Sequence, residues 1–256
     1  MKCKICDGTS EIAFTHLVLS KYEVKYFRCN DCGFLQTEEA YWIEEAYNNA
    51  LNIDDTGLIK RNEYFREKVS VLLYFLFQKE NTFIDFAGGY GIFTRMMRDI
   101  GFDYYWVDKY AKNLVSRGFE HQLGKRYEAL TAFEVFEHLE NPLAEVEEMF
   151  KYSDTIIFST VMLPQQLPDT NNWWYYAFHH GQHIAFYTQR SMQKLAEKFG
   201  ANFYTNGTNF HMLSKRNLNQ GTFKSLVKLS KYGLYHFVKA TMISKTDSDS
   251  ALLIRK

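Results

Sequence analysis

The fold turns on one stretch, Thr82-Phe83-Ile84-Asp85-Phe86-Ala87-Gly88-Gly89-Tyr90-Gly91-Ile92-Phe93. An apolar strand over Thr82 to Phe86 runs into a glycine-rich turn, and a helix is predicted over Ile92 to Ile100. Glycine at such a strand-to-helix turn lets the backbone come close to a ligand. The alternation continues downstream. Tyr104 to Val107, Tyr127 to Phe133 and Asp154 to Val161 read as strands, with Pro142 to Tyr152 helical between the last two. Arg190 to Phe199 reads as a helix, followed by strands at Ala201 to Thr205 and Phe210 to Leu213. Phe223 to Val238 reads as one helix and Ala251 to Arg255 as a last strand. Upstream, Arg61 to Gln78 has helical spacing, and residues 34–60 read as a short helix and connector. Alternating strands and helices predict an α/β class, a doubly wound parallel sheet covered on both faces.

The 256 residues suit one large domain, or one domain with a small appendage. No apolar run approaches a membrane span, and the N-terminus carries no secretory signal, so a cytoplasmic chain is expected. The 30 basic and 30 acidic residues cancel, but nine basic and only two acidic residues follow Gly200. The basic excess is therefore confined to the tail, where Lys224, Lys228 and Lys231 share one helical face. That face suits a diphosphate or simply solvent.

All four cysteines lie in the first 32 residues, as Cys3-x2-Cys6 and Cys29-x2-Cys32. Two knuckles at this spacing make a tetrahedral zinc site of structural type, with Gly8 and Gly33 supplying the tight turns. Strand-like residues between them, including Ile12, Phe14, Val24 and Tyr26, surround a turn near Ser20. Two disulfides are the rival reading, which a cytoplasmic compartment disfavours.

Two cofactors fit the glycine turn, a nicotinamide dinucleotide and S-adenosylmethionine. The dinucleotide fingerprint expects a third glycine where Thr94 stands. Asp108, at the end of the second strand, suits ribose hydroxyls in either case. The wider set comprises Asp85, Gly89 and Gly91, then Asp108, then Phe133-Glu134-Val135-Phe136-Glu137-His138-Leu139. Together these resemble the class I S-adenosylmethionine-dependent methyltransferases over roughly residues 82–200. The resemblance implies a Rossmann-like methyltransferase sheet. It implies cofactor contacts from Asp85, Ala87, Gly88, Gly89, Gly91, Asp108, Phe133 and Glu134. It also shows two departures: Ala87 stands where a glycine is usual, and only 18 residues separate Asp108 from Tyr127. The helix–strand–helix unit usual in that interval is expected to have collapsed, leaving Gly118, Phe119 and Glu120 as candidates for adenine.

Methyl transfer needs alignment and removal of a proton from the acceptor. His138, beside the cofactor end of the fourth strand, is the first candidate base, with Glu137 next to it and His183 the second candidate. His138 could equally cap or pack the following helix. The stretch Trp173 to Tyr187 holds Trp174, Tyr175, Tyr176 and His180, expected to line an acceptor pocket. A lid packed by its own aromatics is the plainer alternative. A metal site of His179, His180 and His183 finds no carboxylate pattern nearby in sequence.

A four-cysteine unit ahead of such a domain resembles bacterial methyltransferases acting on nucleotide-linked sugars. That resemblance implies O-methylation of a sugar nucleotide in capsule or other surface-polysaccharide biosynthesis. The chain ends too soon for the extra domain of the related C-methyltransferases. RNA methylation is opposed by the charge of Met1 to Lys60, six basic against ten acidic residues. The expected division is a zinc-binding β unit over 1–40, a helical connector over 41–80 and the methyltransferase domain over 81–256. A small-molecule acceptor, no nucleic acid and no membrane span are expected, and a homodimer is allowed.

Overall fold

The computed structural model describes residues 1–47 and 55–255; residues 48–54 of the expected connector lie outside these. Six strands form the central sheet: β4 (Thr82–Phe86), β5 (Asp103–Val107), β6 (Ala129–Ala132), β7 (Thr155–Ser159), β9 (Asn202–Thr205) and β10 (Phe210–Ser214). Their order is β5-β4-β6-β7-β10-β9. The first four are mutually parallel, whereas β10 is antiparallel to both β7 and β9. This is the predicted α/β class, with an antiparallel edge on a parallel sheet.

Both faces are covered, so every residue of the inner strands β6 and β7 is buried, with neighbours along a strand entering different cores. Ile84, Leu130, Ile156 and Phe158 pack with α4 (Pro142–Tyr152) and α5 (Gln189–Lys198), among them Val146, Met149, Met192 and Leu195. Phe83, Tyr104, Ala129 and Ile157 face the other way. There they meet α2 (Leu58–Leu76), α3 (Ile92–Ile100), α6 (Gln220–Leu229) and α7 (Leu234–Thr241).

A second sheet runs β1-β2-β3-β8, formed by β1 (Ser10–Val18), β2 (Tyr22–Cys29), β3 (Leu35–Thr37) and β8 (Ala185–Phe186). The β1–β2 hairpin turns at Leu19 and Ser20, both left-handed, where Lys21 N–H donates to the Val18 carbonyl (3.0 Å). A short helix, α1 (Ile43–Ala46), follows, and Trp42 just before it is buried in the core of this sheet.

Two expectations for the tail are corrected. The segment read as one helix over Phe223 to Val238 is broken: α6 ends in a 3-10 turn at Ser230–Tyr232, and Gly233 takes φ 101° before α7. Ala251 to Arg255 is no strand; most of it lies in α8 (Thr246–Ile254). A short apolar run cannot by itself distinguish strand from helix. Here charge decides it. Asp247 and Asp249 occupy the first turn of α8, where carboxylates favour a helix. Asp249 then reaches into the fold and accepts two 2.7 Å bonds from the buried Arg98 guanidinium. Without Asp249, Arg98 keeps Asp103 (2.7 Å) and the Tyr104 carbonyl (2.8 Å) but loses its two bonds to α8. Asp249→Ala should therefore cost about 2 kcal/mol in urea unfolding, the size of a lost hydrogen bond to a charged group, and a loss under about 0.5 kcal/mol, the size of an ordinary surface substitution, would contradict this anchoring role.

Candidate active site

The C-terminal ends of β4, β5 and β6 open on one edge of the parallel strands, where sheets of this kind bind ligands. The turn after β4 is shaped from below by Asp85. This buried carboxylate accepts from Thr131 Oγ1 (2.8 Å) and Thr94 Oγ1 (3.4 Å). Burial, partly opposed by these bonds, pushes Asp85 up to about 7. A Cβ at Gly88 would stand 2.7 Å from Asp85 Oδ2 and 2.7 Å from Trp106 Cδ1, so no side chain fits there. Gly89 differs: it is left-handed and a Cβ there would meet nothing within 4 Å, so the turn is open on that side. Ala87 is also left-handed, at φ 53°, a conformation that costs an L-residue about 1 kcal/mol and explains why glycine is usual here.

Asp108 faces the open side. Its Oδ2 accepts from Gly89 N–H (2.9 Å), and its Oδ1 accepts from the N–H groups of Tyr110 and Ala111 (2.7 and 2.8 Å). Beyond it, residues 109–126 contain no helix. The usual neighbouring strand is reduced to one parallel bridge, Trp106 with Glu120. Phe119, one of the adenine candidates, is buried beneath the Arg98 guanidinium at 3.6 Å. The Glu120 carboxylate is taken up by Asn113 Nδ2 (2.8 Å) and Gly118 N–H (2.9 Å). Tyr110 beside Asp108 is instead almost fully exposed; its place in an irregular segment gave no periodic signal by which to find it.

The segment after β6 builds the other wall. Phe133 stacks on Phe65 (centroids 4.1 Å, interplanar angle 6°) and meets the edge of Phe93. Glu134 takes φ 54°; its N–H donates to Ser159 Oγ, which donates back to its carboxylate (2.8 and 2.7 Å). Arg61 Nε lies 3.6 Å from the second Glu134 oxygen, while the Arg61 guanidinium also holds Asp55 through two bonds of 2.8 and 2.7 Å.

Glu137 and His138 follow in a 3-10 turn, and His183 is brought to them from a distant segment. His138 Nδ1 donates to the Gln182 carbonyl (3.0 Å) and His183 Nδ1 donates to the Tyr175 carbonyl (2.7 Å), so both rings present Nε2 as an acceptor. Burial lowers His138 to about 4 and His183 well below its usual value, keeping both neutral at pH 7. Burial, reinforced by Glu134, pushes Glu137 well above the ordinary carboxylate range. Tyr47 meets the His138 ring edge-on at 6.2 Å, a contact that the sequence did not single out.

Within the aromatic stretch, Tyr175 is buried, its ring 4.7 Å from His183 and its hydroxyl bonded to Thr160 Oγ1 (3.0 Å). Tyr176 packs with Phe178 and Phe14 in the core under the hairpin. Trp174 is 73% exposed. His180 Nδ1 accepts from Gln182 N–H (3.2 Å), and its ring stands 5.0 Å from that of His183. Of His179, His180 and His183, the structure places only His183 in a possible ligand grouping among the described residues, with Glu137 and His138 from the end of β6.

The sulfurs of Cys3, Cys6, Cys29 and Cys32 all lie within 4.8 Å of one another. The separations Cys3–Cys32 (3.6 Å) and Cys6–Cys29 (3.5 Å) far exceed a disulfide bond of about 2.05 Å. They match the edge of about 3.8 Å in a tetrahedron of thiolates around zinc. Contact with the Cys32 thiol pulls Cys3 down to about 5, while Cys32 is pushed up, since neighbouring thiols cannot all ionise without a cation.

A methyltransferase-domain family profile matches residues 59–206, more than half of the chain. The chain belongs to this family of methyltransferase domains. No curated protein sequence matches it. Similar solved structures include the magnesium protoporphyrin IX methyltransferase ChlM from Synechocystis PCC 6803 with bound SAH (16% identity, 67% of this chain and 90% of that chain, TM-score 0.43). Another is the plantazolicin methyltransferase BpumL in complex with SAH (11% identity, 69% of this chain and 95% of that chain, TM-score 0.48). A third is CalO1, a methyltransferase in calicheamicin biosynthesis, in its SAH-bound form (12% identity, 70% of this chain and 60% of that chain, TM-score 0.46). Likeness at this level carries no inference about substrate.

The raised Asp85 carboxyl has a measurable consequence. Being protonated in the fold, it contributes most to stability at low pH, and the contribution is lost as pH rises from about 4 through 7. Asp85→Asn removes that dependence. Its melting temperature relative to the unsubstituted protein should rise between pH 5 and pH 8, and an equal difference at both pH values would contradict the assignment.

Proposed function

We propose that the protein transfers a methyl group from S-adenosylmethionine to a hydroxyl of a nucleotide-linked sugar, in surface-polysaccharide biosynthesis. The observation that carries the methyl-transfer reading is the open side of the turn at Gly89. It faces the Asp108 carboxylate, on the strand edge that also holds the Glu137–His138–His183 grouping. When bound, S-adenosylmethionine supplies a methyl group already activated on a sulfonium sulfur.

The residues divide the work. The turn over Ala87 to Gly91, braced by Asp85, would hold the methionyl part, and Asp108 would bind ribose hydroxyls. Tyr110 offers the exposed aromatic face nearest that acid, in place of the reduced strand. Phe133 and Glu134 form the wall between cofactor and acceptor. At the acceptor end, neutral His138 and His183 present Nε2 lone pairs, which can receive a hydroxyl proton as the oxygen attacks. The exposed Trp174 ring supplies a face on which a sugar or base can stack, with Tyr175 and His180 beside it and Tyr176 supporting them from the core. We assign zinc to the four cysteines, where it would neutralise the thiolates and join the two knuckles.

Two measurements test this reading. Asp108→Ala should weaken S-adenosylmethionine binding at least about tenfold by calorimetry, the size of a lost hydrogen bond to a charged group. Unchanged affinity would remove Asp108 from the ribose role. A methyl-transfer screen across nucleotide sugars, with products mapped by NMR, should give a methyl ether. A new carbon–carbon bond would move the assignment to C-methylation, and methylated RNA with no sugar product would overturn it.

A further inference from the structure

Glu137, His138 and His183 share a geometry that proton transfer alone does not explain. One donor atom of each lies within 4.8 Å of the donors of the other two. Both histidines give their Nδ1 proton to a backbone carbonyl, which fixes the tautomer and leaves Nε2 as a lone-pair donor. Metal-ligating histidines are held in this way. The third member is the stronger sign. Glu137 is fully buried, and neither of its carboxylate oxygens has a hydrogen-bond partner among the described residues. The nearby hydroxyls of Tyr175 and Thr160 bond each other (3.0 Å), so of their two protons one is left to turn towards Glu137, which eases the effect of burial without supplying a counter-charge. Arg61, the cation on this side of the site, is engaged by Asp55 and Glu134. A buried carboxylate left without a partner is costly, and an unsatisfied group of this kind calls for an explanation.

We propose that Glu137, His138 and His183 bind a divalent first-row transition-metal cation. Two imidazoles and one carboxylate suit manganese, iron, cobalt or zinc, whereas magnesium and calcium favour sites built from oxygen. Donors bonded to such an ion at about 2.1 Å stand roughly 3 to 3.5 Å apart. The three side chains therefore draw together by about an ångström, which the otherwise unrestrained Glu137 carboxylate permits. The cation supplies the charge that this carboxylate lacks. Three protein ligands leave coordination positions open, and, resting on the methyl-transfer reading, an acceptor hydroxyl bound there would be made more acidic by the cation and would release its proton to solvent, since the Nε2 lone pairs are then ligands and no longer serve as the base. The site is separate from the cysteine cluster and differs in kind, with nitrogen and oxygen donors in place of sulfur.

The test uses the full chain with one equivalent of zinc already bound, cleared of loose metal on a chelating resin. It is then titrated with Mn2+, which prefers nitrogen and oxygen donors to thiolate. Free Mn2+ is followed by electron paramagnetic resonance and the heat by calorimetry. One Mn2+ should bind per chain. Glu137→Gln and His183→Asn should each weaken binding at least tenfold while keeping their zinc and their circular dichroism. Without Mn2+, Glu137→Gln should melt no lower than the unsubstituted protein, because it removes a buried group that lacks a partner. Absence of saturable Mn2+ binding, or equal affinity in both folded variants, overturns the proposal. The measurement needs neither methyl donor nor acceptor, so failure of every sugar to react would leave its result standing.

Discussion

The pairing of β3 with β8 is the constraint on which the rest of this site depends. Only two residue pairs are in register, Leu35 with Phe186 and Gln36 with Ala185. They nevertheless join the cysteine-bearing sheet to the segment that carries His183. The hydrogen bonds continue past the pairing. Thr37 N–H donates to the Ile184 carbonyl (3.1 Å), and Ile184 N–H donates to the Glu137 carbonyl (2.9 Å). Strand edges satisfy their backbone groups by pairing, and here one edge passes through Ile184 to the turn that holds Glu137 and His138. On the other side, Thr188, which caps α5, donates through Oγ1 to the Cys32 carbonyl (2.6 Å). The second cysteine knuckle and the histidine segment are thus tied at two points.

This arrangement gives the N-terminal unit a function that its chemistry alone does not suggest. Its four sulfurs lie far along the chain from Glu137, His138 and His183, yet the sheet that carries them pairs with the segment holding His183. The β1–β2 hairpin adds a packed face: Phe14, Tyr26 and Phe186 enclose Tyr176, and Trp42 Nε1 donates to the Gly181 carbonyl (2.8 Å). The aromatic stretch is therefore divided. Its inner rings form the core shared with the hairpin, and Trp174 remains outside it, exposed. Of the expectations for this stretch, packing describes Tyr175 and Tyr176, which are buried, and the proposed acceptor wall is left with Trp174 as its exposed ring.

The parts of the fold that were legible in sequence are those with a local cause. The β4 run, its glycines and the acid ending β5 sit within 30 residues and carry their own pattern. The two cysteine knuckles do likewise. The structure adds what local pattern cannot hold. Two-residue β8 is too short to show a period, and its partner β3 is distant in sequence. The meeting of His183 with Glu137 joins segments that no spacing rule connects. The tail was misread because Leu252, Leu253 and Ile254 look apolar, whereas Asp249 and its hold on Arg98 set the helix. The collapse after Asp108 was visible as a shortage of residues, but the single remaining bridge at Trp106 was not.

The direct test of the central claim is hydrogen exchange on the full chain carrying Cys29→Ser and Cys32→Ser together. If the cysteine unit holds the histidine segment in place, protection should fall together over residues 33–37 and 182–188, while residues 83–107 exchange as before. Protection retained over residues 182–188, with residues 33–37 opened, would show that the loop carrying His183 stands without the cysteine unit.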